Sequence, residues 1–276
     1  MTERLAATDR VLAPFGVRAT PIVATERHGA YTVLRCADRT GPRPGAGQFY
    51  MLRAAERWGG GTDERPYLPR AFSVLRAPAG TQELHFLLED VGPGTARLCE
   101  LRAGDELRVL GPLGIGFVAP RAGRRAVLAG GGVGIAPLAI WQDQLGEAGA
   151  AVLLGFRDAF HAAGAALLAG PRIATDDGSV GRHGLVTKLL ADELDADSQA
   201  EVYACGPPPM LEAVRALCAE RDVPAQLALE SGMACGYGAC FGCVVPTTGG
   251  YIRLCVDGPV IQAARLETAL TPGAGH

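Results

Sequence analysis

The sequence predicts a multidomain β + α/β protein: an antiparallel β-barrel, then an α/β domain with a parallel sheet, then a small cysteine-rich loop domain at the C-terminus. Three observations carry this. Over the first hundred or so residues, short apolar and β-branched runs are separated by Gly, Pro and Asp-rich pieces at intervals of roughly ten residues, the rhythm of a barrel. After Arg125 the pattern changes to strand, glycine turn, helix, which implies βαβ units. From about Gln226 the chain is rich in glycine and cysteine and too short to form a core of its own. The expected boundaries are 1–120, 121–225 and 226–276, the first marked by GPLGIGFVAPRAG and the Arg124-Arg125 pair.

In the barrel part, TPIVATERHGAYTVLRC, GQFYMLRA, RAFSVLRA, ELHFLLEDV and DELRVLGPLG read as strands, because β-branched and aromatic side chains suit a pleated, half-buried surface. Strand side chains alternate between faces, so Arg70 and Phe72 of Arg70-Ala71-Phe72-Ser73 share one face. A fork-shaped guanidinium can grip a diphosphate, and an aromatic ring can pack on a flat heterocycle. Gly92-Pro93-Gly94-Thr95 ends a strand before the helix-like ARLCELRAG, leaving a turn of unpaired N–H groups.

In the α/β part, Gly130-Gly131-Gly132-Val133-Gly134-Ile135-Ala136-Pro137 follows an apolar strand and opens a helix. Glycines there let a backbone approach a pyrophosphate while the helix start offers N–H groups to its charge. Alone, such a turn is as consistent with plain strand-to-helix geometry. Cys205-Gly206-Pro207-Pro208-Pro209-Met210 repeats the arrangement at another strand end. Ligands of open α/β sheets bind at the carboxyl ends of strands, so both turns are expected on one side of the sheet.

Near the end, Cys235-x4-Cys240-x2-Cys243-x11-Cys255 has the C-x4-C-x2-C spacing that wraps a [2Fe-2S] cluster, with a fourth thiolate arriving later. Gly232, Gly236, Gly238 and Gly242 interleave, as a loop needs if its amides are to turn toward sulfur. Zinc, the rival metal, usually draws its thiolates from two short knuckles. A disulfide framework suits small secreted chains better than 276 residues with 8 Cys and no signal-like start. Cys36, Cys99, Cys205 and Cys218 are scattered, and buried apolar thiols are the default for most of them.

A net charge of -3 with no basic block argues against nucleic-acid or membrane-surface partners. The apolar stretch from Ala126 to Trp141 is broken by glycines and Pro137 and falls short of the roughly 20 residues a membrane span needs. A cytoplasmic location is expected. His28, His85, His161 and His183 have no evident carboxylate partners and are expected as surface or satisfied histidines. Asp176-Asp177 reads as a solvated turn.

Taken in order, the R-x-[FY]-S strand, G-x-G-T turn, GGGxGIAP turn, CGPxxM turn and cysteine tail resemble the ferredoxin-NADP reductase superfamily. Within it, ATDDGSVGRHGLVTKLL, LESGMACGYGACFGC and CVDGPV resemble the electron-transfer subunits of NAD-dependent dihydroorotate dehydrogenases. The resemblance implies a flavin-binding β-barrel, a nicotinamide-binding domain and a [2Fe-2S] loop. It implies FAD contacts at Arg70, Ala71, Phe72, Ser73, Leu87, Leu88, Glu89, Gly94 and Thr95, and dinucleotide contacts at Gly131, Gly132, Gly134, Cys205 and Gly206. It makes Cys235, Cys240, Cys243 and Cys255 the cluster ligands and assigns no catalytic side chain. Ala71 departs from a common proline and Glu89 from a common basic or aromatic residue. Electrons would pass between NAD(H), FAD, the cluster and the FMN of a catalytic partner subunit that oxidises dihydroorotate to orotate in pyrimidine biosynthesis. The alternatives are the FAD/iron–sulfur subunit of a sulfide dehydrogenase or a ferredoxin-linked transhydrogenase, and a redox-sensing iron–sulfur module. Arg157 could hold the 2′-phosphate of NADP, but Asp158 follows at once and would repel it, so NAD is expected.

Overall fold

A computed structural model describes residues 16–59, 66–146 and 149–271, so the expected outer limits at residues 1 and 276 lie outside it. Among the described residues, β1 (Arg18–His28), β2 (Tyr31–Ala37), β3 (Phe49–Ala54), β4 (Arg70–Arg76), β5 (Glu83–Glu89) and β6 (Glu106–Leu113) close into a barrel ordered β1-β2-β5-β4-β3-β6. Every pairing is antiparallel. Closure removes the exposed edges that an open sheet would leave. Leu34, Leu52, Val74, Phe86, Leu88, Leu107 and Val109 are wholly buried. Each contributes about 1.5–3 kcal/mol relative to exposure. A short helix, α1 (Pro93–Cys99), follows β5.

The chain then lays down β7 (Arg125–Gly131), α2 (Ala136–Leu145), β8 (Ala150–Phe156), α3 (Ala159–Ala162), β9 (Pro171–Thr175), β10 (Arg182–His183), α4 (Val186–Ala196), β11 (Ala200–Cys205), α5 (Pro208–Glu220) and β12 (Ala225–Ala228). These strands pair in parallel. β11 is buried along its whole length and β7 at every residue but Arg125, which is why both read as unbroken apolar runs. In α4, Val186, Leu189, Leu190 and Leu194 recur at helical spacing and turn one face to the sheet. Among the described residues, no helix is long and apolar enough to cross a membrane.

The C-terminal segment adds β13 (Val244–Thr247), β14 (Gly250–Arg253), α6 (Leu254–Asp257) and β15 (Val260–Gln262). β13 and β14 form a hairpin, whereas β15 runs antiparallel beside β12 and completes the order β10-β9-β8-β7-β11-β12-β15. Too short for a core of its own, this segment shares one: Val245, Leu254 and Ile261 pack in the same cluster as Leu211 and Leu227 of the sheet domain and Phe49 and Met51 of the barrel.

Barrel and sheet domain meet along a docked surface. The turn between β1 and β2 reaches α3, with Ala30 N–H donating to the Phe160 carbonyl at 3.3 Å. The neighbouring Tyr31 ring is edge-on to His161 at 5.9 Å. Arg76 donates to Asp143 at 2.9 Å and to the Leu167 carbonyl at 2.9 Å. Gly29 has φ +58, and a Cβ there would lie 1.9 Å from the Phe160 carbonyl oxygen. Gly29→Ala should therefore destabilise the protein by on the order of 1–3 kcal/mol and lower its Tm. An unchanged Tm would mean that the hairpin is not docked.

Candidate functional site

The sheet reverses its direction of growth beside β7: β8, β9 and β10 extend to one side, and β11, β12 and β15 to the other. The carboxyl ends of β7 and β11, paired at Gly130 and Cys205, therefore flank the crevice where α/β sheets bind ligands. Both turns are packed backbone to backbone. A Cβ on Gly134 would lie 2.5 Å from the Cys205 carbonyl carbon and oxygen and 2.6 Å from the Gly206 nitrogen. Met210 of the second turn fills the remaining space, its Sδ 2.6 Å from a Cβ placed on Gly131 and 2.8 Å from one on Gly206.

A cavity of about 550 Å³ opens here between the barrel, these turns and the cysteine loop. Of the residues expected at a site, Arg70, Ala71, Phe72, Ser73, Leu87, Glu89, Thr95, Gly134 and Cys205 line it. Leu88 does not: its side chain lies in the barrel core and leaves only backbone for a ligand. Gly131, Gly132 and Gly206 stand behind the wall, Gly131 and Gly206 against Met210 and Gly132 near the Tyr31 hydroxyl. Gly94, also behind the wall, is the floor under Arg70. A Cβ there would meet the guanidinium at 2.7–2.9 Å, so glycine lets the fork lie over the start of α1. Arg70 also sits 5.9 Å over the Trp58 ring and donates to the Leu68 carbonyl at 2.6 Å, which aims it along the cavity. The Thr95 hydroxyl accepts from Val91 N–H at 2.9 Å and donates to the Gly92 carbonyl at 3.0 Å, so it orders the turn.

Two further wall residues, which lie within LESGMACGYGACFGC, are not among the expected site residues. Glu230 follows the carboxyl end of β12, on the same side of the sheet as both turns. Its side chain is open to the cavity yet enclosed by protein at longer range, and this desolvation pushes its carboxyl up to about 7. Burial, with the charge of Glu230 adding to it, holds the Cys205 thiol well above its ordinary range and favours its protonated form. Beside Glu230, the buried Ser231 hydroxyl finds no hydrogen-bond partner among the described residues. The usable sequence signal was position: Leu229-Glu230-Ser231 follows a strand of the parallel sheet directly.

The cysteine loop closes the cavity's other end through Gly232, Met233, Ala234 and Gly242. Its thiols come in two neighbouring pairs, Cys235 with Cys240 and Cys243 with Cys255. Among the described residues, no group of three or more His, Cys, Asp or Glu side chains surrounds a single point as one metal ion requires. Two thiolates per metal is the demand of a two-iron cluster, so the residues present fit that group better than one tetrahedral zinc. Burial works against the Cys235 thiolate, but hydrogen bonds from the backbone of Cys240, Tyr237 and Ala239 outweigh it and bring the group down to about 6. Cys255 is pushed up to about 12 by burial and by its neighbour Cys243. Gly236 and Gly238 have φ +79 and +89, and a Cβ on Gly236 would lie 2.4 Å from Met51 Cγ of the barrel. Phe241 takes a left-handed φ of 59 and is covered by Arg253 at 5.3 Å, which also donates to the Gly238 carbonyl at 3.1 Å.

The histidines are expected to lack matching carboxylates, and three of them have one: His28 Nε2 lies 3.9 Å from Glu26, His85 Nε2 lies 3.1 Å from Glu83, and the ring of His161 stands between Asp158 and Glu89 at 2.6 and 3.3 Å. The Glu89 contact spans 72 residues and two domains, and nothing local in the sequence announces it. Asp176-Asp177 does form a turn after β9, with Asp177 accepting from Ser179 N–H at 2.9 Å.

Residues 230–267 match the family described as the iron–sulfur cluster binding domain of dihydroorotate dehydrogenase B. Over 222 residues, covering 80% of this chain and 85% of the relative, the sequence is 34% identical to the dihydroorotate dehydrogenase B (NAD(+)) electron transfer subunit of Clostridium acetobutylicum. It is 40% identical to that of a Geobacillus species over 73% of this chain and 80% of the relative. A solved structure of an NADH-dependent reduced ferredoxin-NADP oxidoreductase superposes with TM-score 0.75 at 24% identity, covering 92% of each chain. A ferredoxin-NADP+ reductase from Neisseria gonorrhoeae superposes with TM-score 0.59 at 18% identity, covering 74% of this chain and 91% of the other. The two superpositions establish the fold; the sequence identities go further, and by them the chain belongs to the family of dihydroorotate dehydrogenase B (NAD(+)) electron transfer subunits.

Proposed function

We propose that the chain carries electrons between NAD(H), an FAD in the cavity, a [2Fe-2S] cluster on Cys235, Cys240, Cys243 and Cys255, and the FMN of a catalytic partner subunit that oxidises dihydroorotate to orotate in pyrimidine biosynthesis. Residues 1–120 would hold the flavin, 121–225 the nicotinamide nucleotide and 226–276 the cluster. The observation that carries this is the shared cavity: Gly134 and Cys205 bound it on one side, and Gly232 to Ala234 with Gly242 of the cysteine loop bound it on another. A ring seated there would meet a nicotinamide at the first wall and stand beside the thiols at the second. Bound flavin supplies the conversion between a two-electron nucleotide and a one-electron cluster.

The residues serve this by binding and shielding. Arg70, laid over Gly94, offers a bidentate grip for a diphosphate. Ala71 to Ser73 and Leu87 would line the flavin, with Leu88 contributing backbone, while Gly131, Gly132, Gly134 and Gly206 would keep the nucleotide turn close enough for a dinucleotide. Amides of Tyr237, Ala239 and Cys240 directed at Cys235 stabilise thiolate charge. The relatives' name includes NAD(+), which supports NAD as this chain's nucleotide too.

Purification from the host with whatever stays bound, followed by a dihydroorotate-to-NAD assay, tests the reading. A flavoprotein partner with orotate formation supports it. A different partner without orotate formation would favour a sulfide dehydrogenase or transhydrogenase subunit, and a chain without NADH-reducible flavin would leave a redox-sensing module.

Three variants test the site itself. Cys240→Ala should lose the cluster's visible absorption while NADH still reduces the flavin; loss of both in a folded protein would break the serial order. Arg70→Ala should weaken FAD retention by about 1.5–3 kcal/mol, the scale of a charge-assisted hydrogen bond, and unchanged occupancy would make Arg70 structural. Glu230 has a raised folded-state pKa, so its ionisation costs stability as pH rises from 4.5 through about 7. Glu230→Gln should match the wild type below that window and gain in Tm across it. A pH-independent difference would remove burial as the cause.

A further inference from the structure

The end of β8 is where an α/β nucleotide domain distinguishes NAD from NADP, an acidic residue favouring the free ribose and an arginine the 2′-phosphate. This chain places both types there: Asp158 disfavours a phosphate, and Arg157 is the group that could still receive one. That group is engaged from the other domain. Glu89, at the end of barrel strand β5, accepts a hydrogen bond from Arg157 Nη2 on Oε1 at 3.0 Å. The same oxygen faces His161 Nε2 at 3.3 Å. His161 Nδ1 in turn meets Asp158 Oδ1 at 2.6 Å, and that oxygen also accepts the His161 backbone N–H at 2.9 Å, capping α3. The Glu89 side chain is 15% exposed and that of Arg157 62%, so an enclosed carboxylate holds an exposed guanidinium.

The surroundings favour the same outcome. The turn after β9 lies against the turn after β8: Asp176 N–H donates to the Phe156 carbonyl at 3.0 Å and Asp177 N–H to the Arg157 carbonyl at 3.3 Å. The guanidinium is thus engaged by Glu89, and the turns that carry Asp158, Asp176 and Asp177 lie beside one another next to it. A dianionic phosphate entering here would meet carboxylates, whereas ribose hydroxyls could donate to them.

We propose that Glu89 is a positioning residue that sets the preference for NAD(H) over NADP(H) by tying Arg157 to the barrel and away from the ribose 2′ position. The proposal rests on the nucleotide site of the preceding reading and adds a specificity role for a barrel residue expected only to touch the flavin. The probes are 2′,5′-ADP and 5′-ADP, titrated calorimetrically into the FAD-loaded chain, with flavin absorbance reporting occupancy for each variant. Glu89→Gln should shift the affinity ratio toward 2′,5′-ADP by roughly tenfold, the scale of one charge-assisted contact. Glu89→Gln/Arg157→Ala should abolish that shift, because the gain acts through the released guanidinium. Arg157→Ala alone, which leaves Glu89 in place, should not change the ratio. A shift that survives in the double variant, no shift in Glu89→Gln, or a large loss of 2′,5′-ADP affinity in Arg157→Ala would each overturn the proposal. Failure of NADH to reduce the wild-type flavin would instead overturn the nucleotide site itself, so the two failures are distinguishable.

Discussion

The architecture depends on two strand-end turns packed main chain against main chain. Gly134 lies so close to the Cys205–Gly206 peptide that no side chain fits between them. This contact holds the ends of β7 and β11 together where the sheet's growth reverses. The cost is conformational freedom, since glycine loses more entropy on ordering than any other residue. Met210, flexible enough to fill an irregular gap, offsets part of that cost by covering Gly131 and Gly206 from behind.

The cysteine loop obeys a related constraint with different chemistry. It bends through left-handed glycines, so its amides turn inward toward Cys235, and Gly236 lets the backbone rest on Met51 of the barrel. Its anchoring is shared: β15 extends the parallel sheet, and Leu254 and Cys255 lie in a core built mostly by the sheet domain. A segment too short to stabilise itself thereby acquires a fixed position relative to the cavity.

Docking of barrel on sheet domain does for the end of β8 what shared packing does for the cysteine loop. The β1–β2 turn, Tyr31 and Glu89 all reach α3 or the end of β8, and Arg76 reaches α2. Several of these contacts are hydrogen bonds, which are directional and set orientation as well as affinity. The cavity walls therefore come from three parts of the chain that cannot move independently without breaking several such bonds.

The sequence by itself determined what depends on neighbours along the chain. The barrel strands, the two glycine turns and the cysteine spacing were legible because alternation, positive φ and loop closure are local demands that select residue types. The convergence of Arg70, Phe72, Thr95, Gly134 and Cys205 on one cavity followed from motif order and from the rule that ligands sit at strand ends. Tertiary structure alone decided the rest. Glu230 became a cavity acid because β12 ends beside β11, His161 and Arg157 found Glu89 across a domain boundary, and Leu88 turned inward because of barrel register. Such pairings join residues far apart in sequence, impose no period or spacing on either partner, and exist only once the chain has closed on itself.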